Sequence, residues 1–116
     1  MRRTALRRHS PLRSRPNPDP VTTEVRAAVM VRDRRCFLAR LDAEHGCRDQ
    51  WGNPHPADDF ARLTLDHVHD QPGGMKGKRA PSDLGHLVLM CYAGNVGVPS
   101  REVRQAERAY LREVAP

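Results

Sequence analysis

Two short runs, residues 62–68 (RLTLDHV) and 86–90 (HLVLM), limit most tightly what this chain can fold into. The first alternates, with Leu63 and Leu65 on one face, and the second is apolar and β-prone, so together they read as two paired strands. The residues between them, HDQPGGMKGKRAPSDLG, hold too much Gly, Pro and Lys/Arg for a helix and are too many for a tight turn. That stretch is a candidate functional loop. With 116 residues, 38% of them hydrophobic and 4% aromatic, the core built on such strands is small and belongs to one domain. Large multidomain enzymes are excluded.

Helical spacing appears on both sides of the strands. Residues 21–33 carry Thr22 or Thr23 as a cap, Glu24 in the first turn, and Val25, Ala28, Val29 and Arg32 on one face, which predicts a short helix. Residues 101–114 predict a second helix, with Val103, Ala106, Tyr110, Leu111 and Val114 sharing one face. Arg101, Arg104, Arg108 and Arg112 form a stripe opposite, read as a solvated face with Glu102 and Glu113 at its flanks. Residues 34–62, with Gly46, Gly52, Pro54 and Pro56 and no sustained period, predict irregular structure that needs something to order it. Cys36 and Cys47 lie in this segment, and the third cysteine, Cys91, follows the second strand. After it, Gly94, Gly97 and Pro99 limit any helix to about one turn before Ser100 starts the last one.

The formal charge is +6, with an isoelectric point near 10.0. All of the excess lies in residues 1–18, which hold six arginines and no acid. Interrupted by prolines and poor in large apolar groups, residues 1–20 are expected to form a disordered basic arm ahead of a folded domain over 21–116. Arginines without interleaved acids are the electrostatic footprint expected for nucleic acid, although charge alone specifies no reaction. Arg2, Arg3, Arg7 and Arg8 are the candidate phosphate contacts in the arm, and Lys76, Lys78 and Arg79 those in the glycine-rich loop. No run reaches the 18 apolar residues of a membrane span, and the basic N-terminus lacks the apolar stretch of a signal peptide, so a cytoplasmic location is expected. Three cysteines in a reducing compartment point to thiols or metal ligands rather than disulfides.

The chemistry-bearing residues concentrate in LTLDHV, the basic loop and HLVLMCYAGN. Over residues 29–95 the sequence resembles the HNH nucleases of the His-Me finger (ββα-metal) superfamily, particularly short phage-type forms with an Arg-rich start. The resemblance rests on Asp66-His67, the loop, the second strand, Cys91 and Asn95. It implies an α+β, treble-clef-like ββα-metal domain with flanking helices that hydrolyses DNA phosphodiester bonds. His67 would be the general base that activates water, and Asp66 and Asn95 would bind one divalent metal. A near-neutral imidazole is suited to accept that proton. The oxygen donors favour Mg²⁺ or Mn²⁺ over Zn²⁺. The family's middle Asn, which braces the loop, falls on His86, and Gly94 stands where the family often has another metal-binding side chain. On a regular strand Asp66 and His67 face opposite ways, so they can serve one site only at a strand end or distortion.

The same resemblance suggests that Cys36, Cys47 and Cys91 are three of four ligands to a structural Zn²⁺, with His45 the nearest candidate for the fourth; three thiols without metal is the open alternative. His55 and His69 have no paired spacing and read as surface groups, although His69 and Asp70 lie near enough to His67 to support it. Trp51 could stack on a base but is expected to fill the core. The partner expected is DNA, within a larger packaging or recombination assembly if specificity is supplied from outside. The alternative class is a noncatalytic zinc-stapled nucleic-acid-binding module.

Overall fold

A computed structural model describes residues 20–70, 80–97 and 99–115. The expected basic arm and the loop cations Lys76, Lys78 and Arg79 lie outside the described residues. The architecture is small α+β: helices α1 (Thr23–Asp33) and α2 (Phe37–Leu41), a hairpin of β1 (Cys47–Arg48) and β2 (Pro54–His55), a 3₁₀ turn (Phe60–Arg62), strands β3 (Leu63–His67) and β4 (Leu87–Cys91), then helices α3 (Tyr92–Val96) and α4 (Arg101–Val114). β3 and β4 pair antiparallel, from Leu63 opposite Cys91 to His67 opposite Leu87. Both strands fall within a residue of the sequence expectation. No helix among the described residues is long and apolar enough to cross a membrane.

Every residue of β4 is buried, so this strand is the centre of the core. A two-stranded sheet leaves its outer backbone groups unpaired, and a buried edge of that kind must find other partners. α1 supplies them. Thr22 caps the helix by accepting from Val25 N, and Arg34, at φ 68°, ends it in the left-handed region. Its last turn thereby lies along β4. The buried Asp33 accepts from Leu89 N at 2.9 Å, while the Arg32 guanidinium donates to the carbonyls of Leu84 and Leu87. Tyr110 of α4 donates to Asp33 at 2.6 Å, and its ring packs on Phe37 with centroids 5.4 Å apart. One carboxylate thus joins α1, β4 and α4. The next edge amide, Cys91 N, donates to the Cys36 thiol.

The segment expected to be irregular has more structure than its composition suggests. It contains α2 and the β1–β2 hairpin, in which Cys47 faces His55. The turn is built by Asp49, whose carboxylate accepts from Trp51 N and Asn53 N, each at 2.9 Å. Gly52 holds φ 82°, where a side chain would be strained. Trp51 does not fill the core as expected. It is 75% exposed at the tip of this turn.

α4 also departs from the sequence reading. Its apolar stripe packs inward as expected, but the most deeply buried residue on it is Glu107, which has no solvent exposure. Glu107 lies four residues after Val103 and four before Leu111, so the same spacing that places those two inward places the acid there. Arg104 leaves the expected solvated stripe and donates to Glu107 Oε1 at 3.1 Å and to Asp66 Oδ2 at 2.8 Å. Burial first, and the neighbouring Asp66 carboxylate second, push Glu107 up to about 9 against the weaker pull of Arg104. Its side chain is therefore neutral at physiological pH. An acid whose folded pKa lies above the unfolded value costs stability as pH rises between the two, here from about 4.5 to about 9. Glu107→Gln, which fixes the neutral form, is expected to stabilise the fold at pH 8 by about 1–3 kcal/mol and to flatten that decline. Denaturant titrations of both proteins at pH 5 and pH 8 measure it, and a glutamine variant less stable at pH 8 would mean that the buried acid is ionised.

Candidate functional site

Two groups of chemistry-bearing side chains meet on the β3–β4–α3 unit. The first is a metal-binding group. Cys36 precedes α2, His45 and Cys47 lead into the small hairpin, and Cys91 ends β4. Their ligand atoms all lie within 4.8 Å of one another. A tetrahedral ion with bonds of about 2.0–2.3 Å needs its ligands somewhat under 4 Å apart, so a small contraction would close the set. The three thiols are buried and His45 is partly buried, with Nε2 3.5 Å from Cys91 Sγ. These residues could hold a metal ion.

Electrostatics in the cluster prepare one sulfur for ligation. Hydrogen bonding from the Cys36 thiol lowers Cys91 to about 4 against the cost of burial, helped by His45 and by the backbone amides of Gly94 and Arg48. Cys36 is correspondingly raised, and burial together with the Cys91 charge raises Cys47 to about 11. The sulfurs thus compete for protons that a cation would displace. At position 94 a Cβ would lie 2.5 Å from Leu38 Cδ1 and 3.3 Å from Cys91 Sγ. Leu38 occupies the space a ligating side chain would need there, and His45 reaches the cluster instead.

The second group lies along β3. His67 is its last residue, and its Nε2 is 3.1 Å from Ser82 Oγ on the far side of the basic loop. Asp66 turns the other way, as strand alternation requires, and its buried carboxylate is paired with Arg104. The two neighbours therefore engage different partners. Asn95, on α3, donates from Nδ2 to Thr64 Oγ1 at 3.0 Å and to Leu65 O at 3.4 Å, pinning the helix onto β3. In this arrangement the Asp66 carboxylate faces a guanidinium, while Asn95 uses its Nδ2 on the strand and not the oxygen that a divalent ion would take.

His86 takes up bracing contacts. Its Nδ1 is 2.6 Å from Asp83 Oδ1 and its Nε2 is 2.8 Å from Asp70 Oδ1, so the ring joins residues on both sides of the loop. Burial disfavours its charge, but the Asp83 and Asp70 carboxylates outweigh burial and the pKa is raised above 6.5. A histidine raised on folding contributes stability that is complete below its unfolded pKa and is lost as pH rises through the folded one. The His86 ring proton is expected to titrate in NMR with a midpoint above 6.5, and His86→Gln to remove the matching slope in stability. A midpoint at or below 6.5 would break the clamp assignment. Beside this clamp an open cleft of about 330 Å³ is lined by His69, Asp70, His86, Arg108 and Arg112 among others, so two arginines of the stripe border it, Arg112 exposed and Arg108 partly buried.

Asp33, Arg104 and Glu107 were not singled out by the sequence as site-shaping groups. Only Glu107 carried a signal, an acid at an inward position of an apolar stripe. Comparison with models of known families, with curated proteins and with solved structures found no match to this chain.

Proposed function

We propose that this protein is a DNA endonuclease of the HNH type, in which the Cys/His cluster holds a structural Zn²⁺ and His67 is the general base. The observation that carries the reading is the consecutive strand–strand–helix unit β3–β4–α3, with His67 at the end of one strand, Asn95 on the helix, and Cys36, His45, Cys47 and Cys91 gathered at the β4–α3 junction. Three sulfurs and one imidazole are a soft donor set that suits zinc, with no position left open for substrate, so the ion cross-links the fold.

In this reading the His67 imidazole takes a proton from the attacking water, with Ser82 fixing the ring by its hydroxyl. Arg108 and Arg112 in the adjoining cleft meet the phosphate backbone, which positions the substrate without reading its sequence. In this reading the Asp66 carboxylate is paired with the Arg104 guanidinium.

That pairing favours the second reading, a zinc-stapled module that binds nucleic acid without cutting it. Supercoiled-plasmid nicking with Mg²⁺ or Mn²⁺, and with chelator while protein-bound zinc is monitored, separates the two. Nicking that disappears in chelator with zinc still bound supports the nuclease and means that an added ion displaces Arg104. Nicking that persists gives the cation role to Arg104. Retention of DNA without any nicking leaves the binding module.

A further inference from the structure

We propose that Trp51, with Arg62 and Tyr92, forms a stacking site for one unpaired nucleobase, so that the nucleic acid this protein engages is single-stranded, frayed or branched near the site. The inference rests on the reading of nucleic acid as the partner, but not on cleavage. Its starting point is an indole 75% exposed on a turn that is otherwise tightly bonded. Aromatic side chains contribute most when buried, and an exposed one on a rigid support is suited to stack at small entropic cost.

The support is unusually well fixed. Asp49 is 7% exposed and accepts from the amides of Trp51 and Asn53, Gly52 N donates to Asp49 O at 3.0 Å, and the Arg48 guanidinium donates to Gly52 O at 2.7 Å. The turn springs from β1, whose first residue is the cluster cysteine Cys47. A metal ion bound there would hold the tryptophan platform as well as the fold.

Below the indole is an open pocket of about 170 Å³, whose walls include Gln50, Trp51, Arg62, Thr64 and Tyr92. This is smaller than the roughly 300–1,000 Å³ of sites for drug-sized ligands, and suits a single ring system. The pocket is not a phosphate site, because its cation already faces Asp49 at 3.8 Å and Asp59 at 3.6 Å. What remains is a π face, a guanidinium edge and the amide of Gln50, which match a base. Thr64 also contacts Asn95, and His67 lies three residues along the same strand, about 10 Å away.

Trp51 is the chain's one tryptophan, so its fluorescence reports on this site alone. The full-length protein, without added Mg²⁺ or Mn²⁺, is titrated with a short oligothymidylate and with the same strand paired to its complement. Single strand is expected to quench the emission and duplex to leave it nearly unchanged. Trp51→Ala should weaken single-strand binding about 5- to 150-fold, the range for losing one stacked base, with duplex binding within about twofold of the parent. Trp51→Phe should recover most of the loss. Melting and zinc content verify that the exposed substitution leaves the fold intact. Single-strand binding with unaltered emission, equal weakening on both DNAs, or no binding to either overturns the proposal. Plasmid nicking without quenching would leave the nuclease and remove the base site, and quenching without nicking would do the reverse.

Discussion

Cys91→Ser is expected to abolish cooperative thermal unfolding, and protein purified without added zinc is expected to carry one equivalent of the metal. Cys91 closes β4, opens α3, and accepts from Gly94 N at 3.4 Å, so it joins the buried strand to the helix that carries Asn95. Cys36 and Cys47 anchor α2 and the small hairpin to the same point. Structural zinc in small domains contributes on the order of 10–16 kcal/mol of apparent folding free energy at pH 7, whereas a whole domain is stable by about 5–15 kcal/mol. Losing a sulfur ligand therefore removes an amount comparable to the total. Serine is nearly isosteric, so a cavity cannot account for the effect. His45→Ala should be milder, since the three sulfurs remain and water can complete the shell. Elemental analysis and circular-dichroism melting measure both. A zinc-free parent that melts as Cys91→Ser does would show three ordinary thiols.

The fold was legible where one sequence pattern determined one contact surface. β3 and β4 followed from alternation and an apolar run, and α1 from its Thr22 cap. The α2–hairpin segment was not legible, because it has no period of its own and is ordered by long-range partners: Cys36 to Cys91, and Cys36 N to Ala57 O. For the site, the sequence assembled the three cysteines and the nearby histidine on resemblance, and the fold brings all four together. It could not say that Arg104 reaches across from α4 to Asp66, because residues 38 positions apart carry no local spacing signal. Nor could it place Trp51 outside, since indole size argues for burial and only the Asp49 turn turns it outward.

His67→Ala is expected to lower plasmid nicking by about 10²–10⁴-fold, the usual cost of losing a general base, while melting temperature and zinc content stay near the parent's. The choice of residue follows from burial. Asp66 is the other half of the motif, but removing its carboxylate would leave Arg104 facing the buried Glu107 without its closer partner, so lost activity could reflect a damaged core. His67 is only partly buried and ends its strand, and its ring contacts the Ser82 hydroxyl. Ser82→Ala should cost less than His67→Ala, because the hydroxyl orients the ring but takes no proton from water. Added imidazole should restore part of the rate to His67→Ala and none to Ser82→Ala, which still has its base. Parental nicking by a zinc-replete His67→Ala preparation would remove the histidine from the reaction and, with DNA binding intact, leave the protein as the binding module.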